Sequence, residues 1–88
     1  MNAAVQIIIE GLPLWFSRDD IEALCRPFGT VRSAKVARDR SEPSLQMGFV
    51  KFEMMEQAQR FRDAIHGIRL AEQFLTVTII QEKTDPPS

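Results

Sequence analysis

The sequence predicts an α+β fold in which one four-stranded antiparallel sheet carries two helices on a single face. Three observations lead to this class. Four segments rich in β-branched and aromatic residues are typical of strands. Two further segments repeat apolar residues at helical spacing. Along the chain these segments follow the order strand, helix, strand, strand, helix, strand.

The first half of the chain predicts a strand, a helix and a second strand. VQIIIE at residues 5–10 has the composition of a strand, and GLP behind it is a turn signal that should end it. Ser17 is placed to be the N-cap of a helix, with Asp20 three residues later. The second strand is VRSAKVAR, residues 31–38. One apolar stripe of the helix should be buried: Ile21, Leu24, Cys25 and Phe28.

The second half predicts a strand, a helix and a last strand. DRSEPS is a loop, and the third strand covers residues 47–52 within the stretch LQMGFVKF. IRLAEQ then connects the second helix to a fourth strand at 75–80. Gly67 lies where the C-terminal cap of that helix belongs, and its apolar stripe is Met54, Ala58, Phe61 and Ile65. Residues 1–83 are expected to form a single domain and 84–88 a flexible C-terminal tail.

This element order is that of the ferredoxin-like βαββαβ fold, in which right-handed crossovers place both helices on one side of the sheet. The other side is open to solvent. The two-residue period of a strand assigns each side chain to a face. Beneath the helices we expect Val5, Ile7, Ile9, Ala34, Val36, Val50, Phe52, Leu75, Val77 and Ile79. On the open face we expect Gln6, Ile8, Glu10, Lys35, Ala37, Leu45, Met47, Phe49, Lys51, Thr76, Thr78 and Ile80.

Composition narrows the functional classes. With 88 residues, of which 44% are hydrophobic, the chain is expected to form one domain with a small core. Its single cysteine, Cys25, excludes an internal disulfide and a cysteine-rich metal site and is expected to be buried. One histidine and no Gly-rich phosphate loop leave no basis for an enzyme, a cofactor or a metal. The absence of a signal peptide or membrane span favours an intracellular protein of the cytoplasm or nucleus.

Local charge and apolar surface point to a binding role for the open face. The net charge is only −1, so total charge does not indicate a nucleic-acid partner. The second strand and its loop are nevertheless basic, with a single acidic residue, Asp39, among Arg32, Lys35, Arg38 and Arg40. A positive groove beside a stacking residue suits single-stranded nucleic acid. The alternative interpretation is ordinary charge on a solvated strand.

The sequence resembles the RNA recognition motif (RRM) family. LQMGFVKF aligns with the family's octamer on the third strand, [K/R]-G-[F/Y]-[G/A]-F-V-x-[F/Y], and matches it at Gly48, Phe49, Val50 and Phe52. IIIEGL at residues 7–12 is similar to the partner hexamer on the first strand. AIHG and GTVRSAKVARDR resemble the end of the second helix and the second strand. The resemblance covers residues 5–81 and implies an RRM-like sheet with strand order 4-1-3-2.

The resemblance also implies stacking positions at 8, 47 and 49, of which only Phe49 is aromatic. Ile8 and Met47 would give apolar contacts instead. We therefore expect a single-stranded RNA-binding module of weak affinity, because each lost platform removes about 1–3 kcal/mol. Further contacts are expected from Lys35, Lys51, Arg38 and Arg40 to phosphates, from Gln6, Thr76 and Thr78 to base edges, and from the loop residue Trp15.

An alternative function is protein binding by the same scaffold. The apolar open face, or the helices, would then hold a peptide or a second copy of the chain in a homodimer. Trp15 would serve equally well as an anchor for a protein partner. The RRM-like subfamily that captures tryptophan-bearing peptides carries Arg-x-Phe after the second helix, and IRL at residues 68–70 lacks it. No membrane partner is expected.

Overall fold

The computed structural model of the protein describes residues 4–80. The expected tail at 84–88 and both ends of the predicted domain lie outside the described residues. The elements in chain order are β1 (Val5–Pro13), α1 (Arg18–Cys25), a short 3-10 helix (Arg26–Phe28), β2 (Val31–Arg38), β3 (Leu45–Phe52), α2 (Met55–Ile65), β4 (Arg69–Leu70), β5 (Gln73–Phe74) and β6 (Thr76–Ile80). Within residues 4–80, no helix has the length and apolar character needed to cross a bilayer.

The main sheet has the order β2-β3-β1-β6, with antiparallel neighbours throughout. This confirms the predicted ferredoxin-like topology and its strand order. The two helices cover one face, and the core lies between them and the sheet. Its fully buried side chains include Ile7, Ile9 and Val50 from the strands and Ile21 and Phe61 from the helices. The face assignment from the alternating pattern is therefore confirmed.

Helix α1 begins where the sequence predicted. The Ser17 hydroxyl accepts a hydrogen bond from the Asp20 amide at 3.2 Å, and the Asp20 carboxylate accepts one from the Ser17 amide at 2.9 Å. These reciprocal bonds satisfy donors that every helix N-terminus leaves open. Ile21 and Cys25 are buried against the sheet. Burial raises the pKa of the Cys25 thiol to about 12, and the negative charge of Glu22 adds to the effect, so this thiol is held protonated in the core.

Helix α2 begins one residue later than its apolar stripe predicted. Met54 has an extended backbone and is 52% exposed, so its assignment to the buried stripe was wrong. Its amide donates to the side-chain oxygen of Gln57 at 3.0 Å, which fixes it as the residue before the helix. Ala58, Phe61 and Ile65 are buried as predicted. Gly67 ends the helix with a φ of 86°, the left-handed conformation that glycine adopts without steric penalty.

The expectation that GLP ends the first strand was wrong. Strand β1 continues to Pro13, because Gly11 absorbs an extra residue in a β-bulge between Glu10 and Leu12. Gly11 has a φ of 95°, and a Cβ atom there would lie 2.7 Å from the carbonyl oxygen of Phe74. The bulge turns Leu12 into the core, where it is fully buried.

Gly48 explains why the octamer stretch places a glycine beside an aromatic residue. A Cβ atom at position 48 would lie 2.8 Å from Cδ1 of Ile21 and 3.1 Å from Cδ1 of Leu12. Helix α1 therefore packs directly on the backbone of β3 at this point. The next residue along the strand, Phe49, points the opposite way, to the open face.

The segment IRLAEQ is more ordered than the predicted connection. Arg69–Leu70 and Gln73–Phe74 pair as a short hairpin, which takes Ala71 to a φ of 58°. The last strand then begins at Thr76 rather than 75, and β3 begins at Leu45 rather than 47. His66 has a structural contact that its helix-end position did not reveal, because its Nδ1 atom accepts a hydrogen bond from the Val77 amide at 2.9 Å.

Candidate nucleic-acid interface

Three rows of side chains cross the open face at right angles to the strands, because residues paired between antiparallel strands point to the same side. The first row runs Ser33, Lys51, Gln6, Ile80. The second runs Lys35, Phe49, Ile8, Thr78, and the third runs Ala37, Met47, Glu10, Thr76. All the open-face residues predicted from the alternating pattern except Leu45 lie in these rows, and Leu45 pairs with Pro13 just beyond the third.

The first two rows form a shallow cleft of about 350 Å³, lined by Gln6, Ser33, Ala34, Lys35, Phe49 and Lys51. The Phe49 ring is half-buried, and the Nζ atom of Lys35 lies 6.0 Å from its centre. The structure thus brings together four of the residues that the sequence singled out: the one aromatic, two lysines and Gln6. An aromatic ring in a cleft lined by two lysines can stack the base of a nucleotide while the neighbouring phosphates approach the lysines.

The lysines of the cleft carry charge that no carboxylate in residues 4–80 neutralises. The ion pairs of the described residues lie elsewhere. Three are on the helices, Arg18–Glu22, Arg60–Glu56 and Arg62–Asp63, and the fourth, Arg32–Glu53, joins the start of β2 to the segment between β3 and α2. Each pairs an arginine with a carboxylate outside the open face. Lys35 and Lys51 therefore give the cleft end of the sheet a local positive potential despite the near-neutral chain.

The third row differs in character from the first two. Met47 and Glu10 are directly paired across β3 and β1, and both are half-buried. Thr76 flanks Glu10 on the outer strand and is exposed. This row combines a soft apolar side chain with a carboxylate, so it contributes no positive charge to the face.

Arg38 and Arg40 lie outside the cleft. Arg38 pairs with Gln46 one residue beyond the open-face position of Ala37, so its side chain leaves the strand toward the other face. Arg40 follows the strand in a turn that Asp39 stabilises. The Asp39 carboxylate accepts hydrogen bonds from the amide and the hydroxyl of Ser41 at 2.9 and 2.8 Å. The Ser41 hydroxyl, and then the Ser41 amide, lower the pKa of this exposed carboxyl.

Trp15 and its loop lie at the far end of the sheet from Lys51. The indole is 66% exposed and its ring centre is 5.7 Å from that of Phe16, which packs on the core. Leu14 lies beside it and lines a second groove of about 440 Å³ together with Leu45 and Leu70. Leu45 and Lys51 are six positions apart along β3, a span of about 20 Å.

Gln46 is a site residue that the sequence did not reveal. It stands where the octamer has a glycine, and its side-chain amide donates to the carbonyl oxygens of Pro13 at 3.0 Å and Phe16 at 2.8 Å. These bonds fasten the two ends of the loop that carries Trp15. Its partners lie 33 and 30 residues away in sequence, so no local pattern could have indicated them.

Comparison with known proteins places this geometry in a family. The profile described as RNA recognition motif matches residues 7–76. Spliceosome associated factor 3, U4/U6 recycling protein, from Danio rerio is 32% identical over 93% of this chain and 8% of its own length. Polyadenylate-binding protein 2 from Arabidopsis thaliana is 33% identical over 90% of this chain and 13% of its own length. The chain thus spans only about a tenth of the curated relatives it matches.

Solved structures agree on the fold. The structure of Pes4 RRM3 matches with a TM-score of 0.77 at 22% sequence identity, covering 98% of this chain and 99% of that one. The agreement extends over almost the entire length of both chains, so the ferredoxin-like arrangement of the sheet and helices is shared.

Proposed function

The chain belongs to the RNA recognition motif family, and on that premise we propose that it binds single-stranded RNA on the open face of its sheet. The observation that carries the proposal is the cleft that Phe49 lines together with its cross-strand partner Lys35 and with Lys51, two residues further along β3. A face of this kind offers a stacking surface for one base and positive charge for the adjacent phosphates. Nuclear and cytoplasmic RNA would both be accessible partners for an intracellular protein.

The three rows suggest how contacts are divided along the strand of RNA. One base stacks on Phe49, with Ile8 beside it giving apolar contact. Lys35 and Lys51 approach the phosphates that flank that base. Base edges are within reach of Gln6 in the first row and of Thr78 and Thr76 on the outer strand. Arg38 and Arg40 would meet the chain only where it passes over the β2 edge.

Binding should be weak for an isolated domain. Phe49 is the only aromatic residue in the rows, and stacking contributes about 1–3 kcal/mol per base. Ile8 and Met47 offer dispersion contacts but no π-face. Trp15 could add a second stacking surface, because it is largely exposed and its loop is held in place by Gln46. An RNA that reaches both Phe49 and Trp15 must cover the length of the sheet.

Titration with uridine-rich and guanine-containing hexamers, followed by backbone amide shifts, tests the proposal. We expect shifts concentrated on β1 and β3 and a loss of most binding in Phe49→Ala. Phe74→Ala is the matched control, because Phe74 is 66% exposed and lies in the hairpin, outside the three rows. Absence of shifts at millimolar RNA, or equal binding by the two variants, would reject the open face as the RNA site.

A second candidate function is protein binding at the end of the sheet that carries Trp15. The groove beside Leu14, Leu45 and Leu70 is mostly apolar, and exposed aromatic and aliphatic side chains of this kind anchor protein partners. A homodimer is the simplest such assembly. Sedimentation at several concentrations separates the cases: an RNA-binding monomer keeps its mass, whereas self-association raises it and Trp15→Ala restores the monomer.

A further inference from the structure

The third row of the open face places one carboxylate next to an apolar side chain in the middle of the proposed RNA path. Glu10 lies on the central strand β1, paired with Met47 on one side and Thr76 on the other. Paired residues on adjacent antiparallel strands have Cβ atoms about 5 Å apart. A flat group packed on the Met47 thioether therefore has its edge beside the carboxylate of Glu10.

Glu10 has no partner that explains its place on this face. None of the side-chain hydrogen bonds and ion pairs formed within residues 4–80 involves its carboxylate. Neither lysine of the cleft is adjacent to Glu10. Lys35 is two strands and one row away from it, and Lys51 is one strand and two rows away. The group is half-buried, and an ionised carboxylate offers acceptors only. Its two oxygens thus form an unused pair of acceptors that points into the binding face.

Among the four bases, one presents a matching edge. The Watson–Crick edge of guanine carries two adjacent donors, the N1–H and the N2 amino group, in the spacing that a carboxylate accepts as a pair of hydrogen bonds. Adenine presents an acceptor at N1 beside its amino group, and cytosine an acceptor at N3. Uracil presents a single N–H between two carbonyl acceptors. Each of these would set at least one lone pair against the carboxylate.

We propose that Glu10 is the residue that selects guanine, accepting hydrogen bonds from N1–H and N2–H of a base packed on Met47. The proposal rests on RNA binding by the open face as described above and adds the base identity at one position. This role also explains why a face that must attract phosphates carries a negative charge. The repulsion between the Glu10 carboxylate and the phosphates is offset only when guanine supplies two hydrogen-bond donors. Other bases leave the carboxylate desolvated and unpaired, which disfavours their binding.

The experiment compares the hexamers UGUGUG, UAUAUA and UIUIUI, in which inosine keeps the N1–H of guanine but lacks its amino group. Affinities are measured by fluorescence anisotropy for the intact chain and three variants. Glu10→Gln keeps the shape of the side chain and removes the charge. Glu56→Gln is the matched control, because it removes one negative charge from the exposed surface of α2, where Glu56 pairs with Arg60. Phe49→Ala separates stacking from base selection.

We expect the unaltered chain to prefer UGUGUG over UAUAUA by about ten-fold or more, with UIUIUI in between. Glu10→Gln should bring this ratio close to one, and Glu56→Gln should leave it unchanged. Phe49→Ala should weaken all three hexamers and keep their order. The Met47 methyl resonance should move on addition of UGUGUG.

Two results would overturn the guanine assignment while leaving RNA binding intact. One is an unaltered chain that binds all three hexamers equally. The other is a Glu10→Gln variant that binds every hexamer more tightly by the same factor, since Glu10 would then act only by repelling phosphates. A chain that binds none of the hexamers and shows no shift of the Phe49 amide contradicts the proposed function itself. Failure of the guanine assignment and failure of RNA binding are therefore distinguishable.

Discussion

The ammonium group of Lys35 lies 6.0 Å from the centre of the Phe49 ring, the one aromatic surface that the three rows offer to a base. This distance is the outer limit of a cation–π contact. In the proposed complex, the lysine and a base stacked on Phe49 would compete for the same region of the ring. Because the ammonium sits on a flexible four-carbon stem, it can move aside and meet a phosphate while the base takes its place.

Replacing this lysine tests whether it contacts phosphate. Lys35→Gln should reduce the affinity for RNA and lower the slope of log K against log salt by about 0.7, the contribution of one phosphate contact to a single strand. Lys51→Gln should do the same. Binding isotherms at several salt concentrations measure both slopes. Arg60→Gln on the exposed surface of α2 is the control and should leave the slope as it is. An unchanged slope in Lys35→Gln would mean that Lys35 only packs on the ring.

The side-chain amide of Gln46 joins β3 to the loop that carries Trp15, and its removal should loosen that loop. Gln46→Met keeps the length of the side chain and loses both donors to Pro13 and Phe16. We expect a loss of about 1–2 kcal/mol in the free energy of unfolding, measured in urea, and faster quenching of Trp15 fluorescence by iodide.

The control for this change is Gln59→Met, because Gln59 is exposed on α2. It should leave both the stability and the quenching near the values of the unaltered chain. Equal effects of the two variants would show that the loop holds its position without Gln46.

The alternating and helical patterns were sufficient to predict the sheet, its faces and the position of Phe49. Period-two alternation in VQIIIE and LTVTII is read directly from the side chains, so Ile7 and Ile9 were placed beneath the helices and Ile8 above the sheet. The β-bulge at Gly11 was not predicted, because it depends on how β1 packs against β3 and against the hairpin. Glycine before leucine and proline signals a turn equally well when read locally.

For the candidate site, the positions set by strand alternation were predictable, and the contacts between residues distant in the chain were not. The two-residue alternation placed Phe49, Lys35, Lys51 and Gln6 on the open face. It did not place Ser33 there, and it assigned Ala34 to the other face, although both also line the cleft. Arg38 lies apart from them, because its position in the alternation puts it on the other face, and its contact with phosphate stays a prediction. Gln46 and the Val77 contact of His66 involve partners distant in the chain, and only tertiary structure brings those partners close.

Two glycines with left-handed backbones form a natural comparison. Gly67→Ala should destabilise the fold by about 1–2 kcal/mol through backbone conformation alone, because no atom lies within 4 Å of a Cβ at that position. Gly11→Ala adds a clash with the Phe74 carbonyl oxygen, and overpacking of this kind costs about 1–3 kcal/mol more. Urea denaturation of both variants measures the difference. Equal losses would show that the hairpin moves away from β1 without penalty.

The burial of Cys25 predicts how the protein responds to thiol reagents and to alkaline pH. With its pKa raised to about 12, the folded thiol holds about one thiolate in ten thousand at pH 8, whereas an unfolded cysteine ionises readily. Ellman's reagent should therefore modify Cys25 only through unfolding, and the rate should rise with urea in parallel with the loss of secondary structure. Rapid modification of the native protein would contradict the burial of this thiol.

The raised pKa of Cys25 also determines how the free energy of unfolding changes at alkaline pH. The folded state holds the thiol proton more tightly than the unfolded chain, whose cysteine has a pKa of 9.0. The contribution to stability is therefore complete below pH 9 and is lost as the pH rises toward 12. We expect the free energy of unfolding to fall over this range by more in the unaltered chain than in Cys25→Ala. That variant lacks the titrating thiol, so lysine titration and other alkaline effects cancel in the comparison. Parallel curves for the two proteins would mean that Cys25 ionises as easily in the folded core as in water.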